Sequence, residues 1–279
     1  SVSLSLSLSH THAPTQVQEM LHACAEHIQE QDKSFHQASA VLGIAMITMG
    51  EEVGSNMAMR TMEHLLQYGE IPIRRIVPLA MSLLYVSDPD YSVTDLLSKL
   101  THDQDEQVAM NAILALGMIG AGTNNARIAG LLRQLSSFYK SKADPLYVVR
   151  IAQGLLHMGK GLVTLSPFHS DNLLMSNTRL AGVLALLFSA FDLKHNLLGS
   201  THYLLYTLAP SITPRMLVTL DEDGEMLPVS VRVGQAVDTV GQAGQPRRIT
   251  GFQTHTTPVL LAAGERAELV DGDQYEAVP

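Results

Sequence analysis

Twelve histidines, one cysteine and two glycine-rich stretches are the parts of this 279-residue sequence whose chemistry could go beyond packing. Two histidines that hold zinc from one helix face stand at i, i+4, and a thiolate site needs a paired C-x-x-C. His22 and His27 flank Cys24 but stand five residues apart, and His195 and His202 stand seven apart. Neither spacing fits, so no metal ligand and no cofactor is assigned. Gly117-Met-Ile-Gly-Ala-Gly122 carries the glycines of a phosphate loop, yet it continues a helical apolar pattern and no Gly-Lys-Ser/Thr follows it. It reads as helix packing and termination, and Gly159-Lys-Gly161 likewise lacks the rest of a P-loop. Serine, histidine and aspartate are scattered without a G-x-S-x-G elbow, so no catalytic residue is assigned.

The remaining polar and soft residues read as surface or filler. Glu51-Glu52 and the run Asp103, Asp105, Glu106 are expected to be solvated acidic faces. The methionines, among them Met57, Met59 and Met62, are expected to fill the core. A formal charge of −9 argues against nucleic acid or an anionic membrane as a main partner, because both call for a basic footprint. Cys24 alone excludes an intrachain disulfide and fits a reducing compartment, cytosol or nucleus. The apolar run Leu180 to Phe188 is far shorter than the ~18 to 20 residues that span a bilayer. Ser1-Val-Ser-Leu-Ser-Leu-Ser-Leu-Ser9 alternates with period 2, lacks the basic start of a signal peptide, and reads as a low-complexity terminus or an edge strand.

The elements behind these residues repeat. Ala115 of the small, apolar stretch Met110–Gly122 has counterparts 35 residues back at Ala80 and 35 further back at Ala45, with Leu116 falling on Met81 and Met46. A fixed period in the thirties marks a helical solenoid, in which each repeat buries its apolar face only against its neighbours. Helical spacing predicts helices at Thr15–Gln31, Ala38–Met49 with Ser34 as cap, and Glu51–Tyr68. Others follow at Arg74–Val86, Ser92–Leu100, Asp105 onward, and Ala126–Tyr139 capped by Thr123-Asn124-Asn125. Leu146–Met158 opens a fourth repeat, and Asn177–Phe191 a fifth. Val17, Met20 and Leu21 are placed where a preceding repeat would pack, so the isolated chain is expected to self-associate. Gly43, Gly117, Gly154 and Gly182 each cost about 1 kcal/mol against alanine inside a helix, which close helix contact would offset.

After Leu208 the pattern changes. Prolines at 210, 214, 228, 246 and 258 interrupt any helix, and Val229, Val231 and Val233 alternate with Ser230 and Arg232 as in a strand. Asp223-Gly224 suits a hairpin turn between Met216–Leu220 and Met226–Val233. Further strands are expected at Ala236–Val240, Arg248–Thr254 and Pro258–Ala262.

Repeats of this length with Ala/Gly-rich inner helices resemble the proteasome/cyclosome repeat family. The resemblance rests on Val41-Leu-Gly-Ile-Ala, Met49-Gly-Glu-Glu, Gly122-Thr-Asn-Asn-Ala-Arg, Arg150-Ile-Ala-Gln-Gly-Leu and His157-Met-Gly-Lys-Gly. It continues through Pro214-Arg-Met-Leu-Val-Thr, Pro228-Val-Ser-Val-Arg-Val-Gly-Gln-Ala-Val and Thr250-Gly-Phe-Gln-Thr-His-Thr-Thr-Pro-Val-Leu-Leu. It covers about Gln16 to Leu269 and is similar to the C-terminal third of a longer family protein. Ser1–Pro14 does not share it, and the family's final segment is missing after Leu269. The resemblance implies an arc of a toroidal α-solenoid in the base of the proteasome regulatory particle. That solenoid scaffolds the ATPase ring and docks shuttle ubiquitin receptors and a deubiquitinase.

The expected fold is therefore mainly α, a solenoid of helix-turn-helix repeats followed by a small β-rich module. The expected division is a disordered or non-family N-terminus at 1–14, the solenoid at 15–209, the β module at 210–270 and a flexible tail at 271–279. The expected role is that of a non-catalytic scaffold in cytoplasm and nucleus. Its alternatives are a generic helical-repeat adaptor and a hydrolase with a dispersed Ser/His/Asp site.

Overall fold

The computed structural model describes residues 13–29, 34–169, 174–237 and 248–270. The Ser1–Ser9 alternation, the 271–279 tail and the expected strand end at 238–240 lie outside them. Nine α-helices lie among the described residues: α1 Ala13–Ile28, α2 Ser34–Thr48, α3 Glu52–Tyr68, α4 Ile71–Leu84, α5 Tyr91–Leu100, α6 Glu106–Ile119, α7 Ala126–Phe138, α8 Ala143–Leu156 and α9 Asn177–Ser189.

Several starts are fixed by side chains that satisfy the otherwise orphaned N–H groups of the first turn. Asp90 accepts from Ser92 and Val93 N–H, Asp105 from Gln107 and Val108, and Asn125 from Arg127 and Ile128. Helices α4 and α8 start three residues earlier than expected, at Ile71 and Ala143. Pro72 and Pro145 sit inside their first turns, where a missing N–H costs nothing. Ser34 is the first residue of α2 instead of its cap.

The even-numbered helices form an inner layer in which α2 packs on α4, α4 on α6 and α6 on α8. The outer helices α3, α5 and α7 each pack on the inner helix that follows them. Every residue of α6 from Val108 to Ile119 is buried, so the helix has apolar neighbours all round and little amphipathic character. Ala45, Ala80 and Ala115 are all completely buried, at the positions the 35-residue period assigns. Leu116 and Met81 are buried too, but Met46 is 37% exposed on α2, which has only one inner-layer neighbour among the described helices. On α1, Leu21, Cys24 and Ile28 pack against the core, while Val17 and Met20 stay exposed. Leu21 is thus already partnered.

The fifth unit departs from the repeat. After α8 the chain makes a left-handed turn at Gly159-Lys160 and a short strand β1, Val163–Leu165, which the proline- and turn-based reading missed. Helix α9 is followed by a 3₁₀ turn, Ala190–Asp192, a π-helical turn, Asn196–Ser200, and the 3₁₀ segment His202–Ser211, which packs back on α9. Among the described residues no outer α-helix completes the pair.

Strand β2, Ile212–Pro214, runs antiparallel to β1, so residues on both sides of position 210 share one ribbon. Strand β3, Met216–Leu217, pairs with β6, Val259–Leu260. Strand β4, Ser230–Val237, is the centre of a three-stranded antiparallel sheet between β5, Arg248–Thr256, and β7, Glu265–Leu269. The expected hairpin forms locally: Leu220 bridges Met226, Leu227 N–H donates to Thr219 C=O, and Gly224 takes φ +82° in the turn. Beyond it the two arms part to join different sheets. Strand β7 was not read from the sequence, because Glu265-Arg-Ala-Glu-Leu269 has no clean alternation and is half-buried throughout.

Candidate interaction scaffold

One end of the inner layer is closed by charge. Arg74 and Arg75, in the first turn of α4, meet the acidic run before α6. Arg74 Nη2 lies 3.0 Å from Asp103 Oδ2, and Arg75 Nη2 lies 2.8 Å from Asp105 Oδ2. The other oxygen of Asp105 caps α6. Burial pushes the Asp105 carboxyl up, but the Arg75 hydrogen bonds and the helix N–H groups outweigh it and hold the pKa below the ordinary carboxylate value. Completely buried Asn111 donates to Arg75 C=O at 2.7 Å, tying α6 to α4 a second time.

The turn Ala190–Asp192 lies across this end. Gln107 Nε2 donates to Ala190 C=O at 3.1 Å, Lys194 Nζ donates to Glu106 Oε2 at 2.7 Å, and the Phe191 ring stands 5.8 Å from that of Phe35 on α2. The Lys194 hydrogen bond holds Glu106 below its ordinary pKa. The run read as a solvated acidic face is therefore spent within the molecule, clamping α4, α6 and the turn after α9. Asp105 immediately before an apolar periodic stretch was the signal for this, as an N-cap. Glu51 is exposed, as expected.

The opposite end is closed by backbone. Ser87, at φ +55°, donates N–H to Met118 C=O at 3.1 Å and its hydroxyl to Ala121 C=O at 2.8 Å. The same hydroxyl accepts from Leu165 N–H at 2.8 Å, joining the ends of α4 and α6 to β1. Gly122, at φ +62°, donates to Leu155 C=O, and a Cβ there would lie 2.1 Å from Val163 O. Only glycine fits. Arg215, between β2 and β3, donates through Nη1 to Gly122 C=O at 2.8 Å and to Gly161 C=O at 3.1 Å, and burial lowers its pKa. Both glycine stretches that resemble phosphate loops thus terminate helices and receive a strap.

Helix α9 runs between the two ends. Near its start Arg179 Nη1 donates to Phe168 C=O, and the Phe168 ring lies against Gly50 at the end of α2. It finishes at Ala190, against the start of α6. Gly182 on α9 lets Thr207 approach so closely that a Cβ would lie 2.0 Å from Thr207 O. A Cβ on Gly117 would lie 2.7 Å from Ala152 Cα, and one on Gly43 would lie 3.2 Å from Cys24 Sγ. Gly154 corrects the expectation, because nothing lies within 4 Å of its Cβ position.

The candidate chemical residues stay apart. Among the described residues no group of three or more His, Cys, Asp or Glu side chains could hold a metal. His22 faces Glu26 at 4.0 Å, and His195 Nδ1 meets Asp192 Oδ2 at 2.7 Å, both in the open. Burial pushes the Cys24 thiol up, away from the nucleophilic thiolate. Met59 and Met62 are buried, but Met57 is 65% exposed on the solvent side of α3. No described helix is long and apolar enough to cross a membrane. A rigid layer locked at both ends can present surfaces in fixed register, and that is the physical capability of this arrangement.

A family model described as proteasome/cyclosome repeat matches residues 111–142, from α6 through α7. A second, described as 26S proteasome non-ATPase regulatory subunit RPN1 C-terminal, matches residues 240–278, so the likeness runs past Leu269, where the sequence motifs had placed its end. The chain is 59% identical to 26S proteasome non-ATPase regulatory subunit 2 homolog A of Arabidopsis thaliana over 93% of its own length and 29% of that protein. It is 56% identical to the regulatory subunit rpn-1 of Neurospora crassa, over 95% of this chain and 30% of that one. With the Dictyostelium discoideum subunit 2 it shares 57% identity over 92% of this chain and 28% of that protein. The chain spans less than a third of the length of these curated relatives.

Proposed function

We infer the role from kinship: the chain belongs to the family of 26S proteasome non-ATPase regulatory subunit 2, and we propose that it acts as part of a non-catalytic scaffold in the base of the regulatory particle. In this reading it supports ubiquitin-dependent protein degradation by holding the ATPase ring and other regulatory-particle subunits in position. Shuttle ubiquitin receptors and a deubiquitinase are docked by the whole family protein, in cytoplasm and nucleus. The observation that carries the reading is identity above one half across nine-tenths of the chain to proteins named as proteasome regulatory subunits. The locked inner layer supports it physically, because a stacked solenoid transmits position and offers long surfaces.

The test is affinity isolation of the tagged full chain from cells, with proteasome ATPases quantified in the eluate. The scaffold reading expects those ATPases in stoichiometric amounts and no hydrolysis of ester or peptide substrates. A chain recovered without any proteasome subunit would return the generic adaptor. A turnover abolished by replacing one Ser, His or Asp would return the hydrolase.

A further inference from the structure

The segment leading from the helical layer into the sheets is built inside out. From Ile212 to Leu220 exposure alternates strictly, and the outward positions are Ile212, Pro214, Met216, Val218 and Leu220. The inward positions are Thr213, Arg215, Leu217 and Thr219, and two of them, Arg215 and Thr219, make specific side-chain bonds. Arg215 holds the two glycine carbonyls, and Thr219 bonds Leu227 C=O and the Thr257 hydroxyl. A half-buried strand ordinarily turns its apolar side chains inward. Here folding is satisfied by the polar side, and the apolar side is left in water.

Cross-strand pairing widens the strip. Leu260 stands opposite Met216 and Met226 opposite Leu220, so both fall on the outward face, at 46% and 67% exposure. Together these side chains expose on the order of 500 Å² of apolar surface, at the upper end of what a monomeric protein leaves bare. Immediately beyond Leu220 the turn carries Asp221, Glu222, Asp223 and Glu225, all exposed, and no ion pair joins them to a described residue. A neutral apolar strip thus ends in a concentrated negative charge.

We propose that this strip and its acidic end are a docking surface for an amphipathic helix of a partner protein, one whose lysines and arginines are gathered at one end. One backbone edge of the segment is bonded: Arg215 N–H donates to Leu162 C=O, β3 pairs with β6, and Thr219 C=O accepts from Leu227. The strip itself is a face of side chains, so its recognition runs through side chains and not through strand addition at an edge. The strip is about 26 Å long at ~3.3 Å per strand residue, which a helix of about 18 residues matches at 1.5 Å per residue. Charge complementarity with the turn sets which end carries the basic residues and steers the approach. This surface lies outside the helical layer, and its test is independent of proteasome association.

The probe is a synthetic 18-residue helix with leucines on one face and four lysines at one end, titrated against the full chain by fluorescence anisotropy. A second peptide carries the same lysines spread evenly along its polar face. The surface expects the first to bind more tightly. Val218→Ser with Leu220→Ser should weaken it by about tenfold or more, with circular dichroism and melting unchanged because both side chains are exposed. Glu222→Gln, Asp223→Asn and Glu225→Gln together should weaken it and flatten its salt dependence, while Asp221 keeps the turn. Equal binding of both peptides, or equal binding by parent and variants, would overturn the proposal. So would a dimer of the parent chain that the serine pair dissolves, since the occupant would then be a second copy.

Discussion

Gly117 of α6 and Ala152 of α8 meet backbone to backbone: a Cβ on Gly117 would lie 2.7 Å from Ala152 Cα and 2.8 Å from its Cβ. Helix propensity alone favours alanine over glycine by about 1 kcal/mol. The contact reverses the sign, because a main chain in a close-packed layer cannot swing aside as a side-chain tip can. Gly117→Ala is expected to destabilise the chain by about 1–3 kcal/mol. Gly154→Ala, with nothing within 4 Å of its Cβ position, should be neutral or stabilising by up to about 1 kcal/mol. Urea denaturation of both variants checks this. Two shifts of the same sign would mean that α6 and α8 do not approach as described.

Ala45, Ala80 and Ala115 occupy one register position in three consecutive inner helices, all without solvent exposure. Enlarging any one to leucine should cost about 1–3 kcal/mol by overpacking. Leucine's helix propensity nearly equals alanine's, so propensity cannot account for such a loss. Gln67→Leu, on the exposed side of α3, should stay within about 0.5 kcal/mol of the parent. Chemical denaturation that left all three alanine variants as stable as that control would dissolve the 35-residue register.

The Asp105 pKa is held below its unfolded value, so its folded form binds its proton later on acidification than the unfolded chain does. Its stabilising contribution is therefore fully present above the ordinary aspartate pKa of about 3.9 and is lost as pH falls through the lower folded value. Asp105→Asn should lower stability at pH 7, with the deficit shrinking below about pH 4. The carboxamide oxygen can still cap α6, so what is removed is the charge facing Arg75. Melting curves across pH 2–7 would show parent and variant converging in acid. A deficit independent of pH would assign the effect to shape instead of charge.

The residues that made the fold legible are those governed by local rules. Period 3.6, the turn-formers at Asp90, Asp105 and Asn125, and the recurring alanines placed the inner and outer helices within a few residues. The change to period 2 after Leu208 located the sheets. What escaped was set by partners distant in sequence. Strand β1 exists because Ile212–Pro214 returns to it, and neither stretch signals the other. The acidic run before α6 looked solvated because Arg74 and Arg75 precede it by about one repeat and Lys194 follows far along the chain. Gly154 shows the reverse limit, since composition suggested a contact that packing does not make. The outward apolar strip from Ile212 to Leu220 was invisible for a related reason: alternation fixes which residues share a face, but only the structure tells which face meets water.

Arg215 joins what the sequence kept apart, since its guanidinium holds the carbonyls of Gly122 and Gly161 while its own N–H bonds Leu162 C=O. Arg215→Met keeps much of the aliphatic length and removes the donor, leaving two carbonyls beside a half-buried gap. Losing the partner of a buried polar group costs about 1–3 kcal/mol. The loss should be local before it is global, because the helical layer retains its own packing and only the strap is loosened. Hydrogen exchange of the full chain should then show faster exchange at Val163–Leu165 and Ile212–Thr213, the residues of the β1–β2 ribbon. Amides of α6, buried along its length, should keep the parent's protection. If exchange rose equally in α6 and in the ribbon, Arg215 would be holding the helical layer itself together, and the separation between layer and strap drawn from these contacts would be wrong.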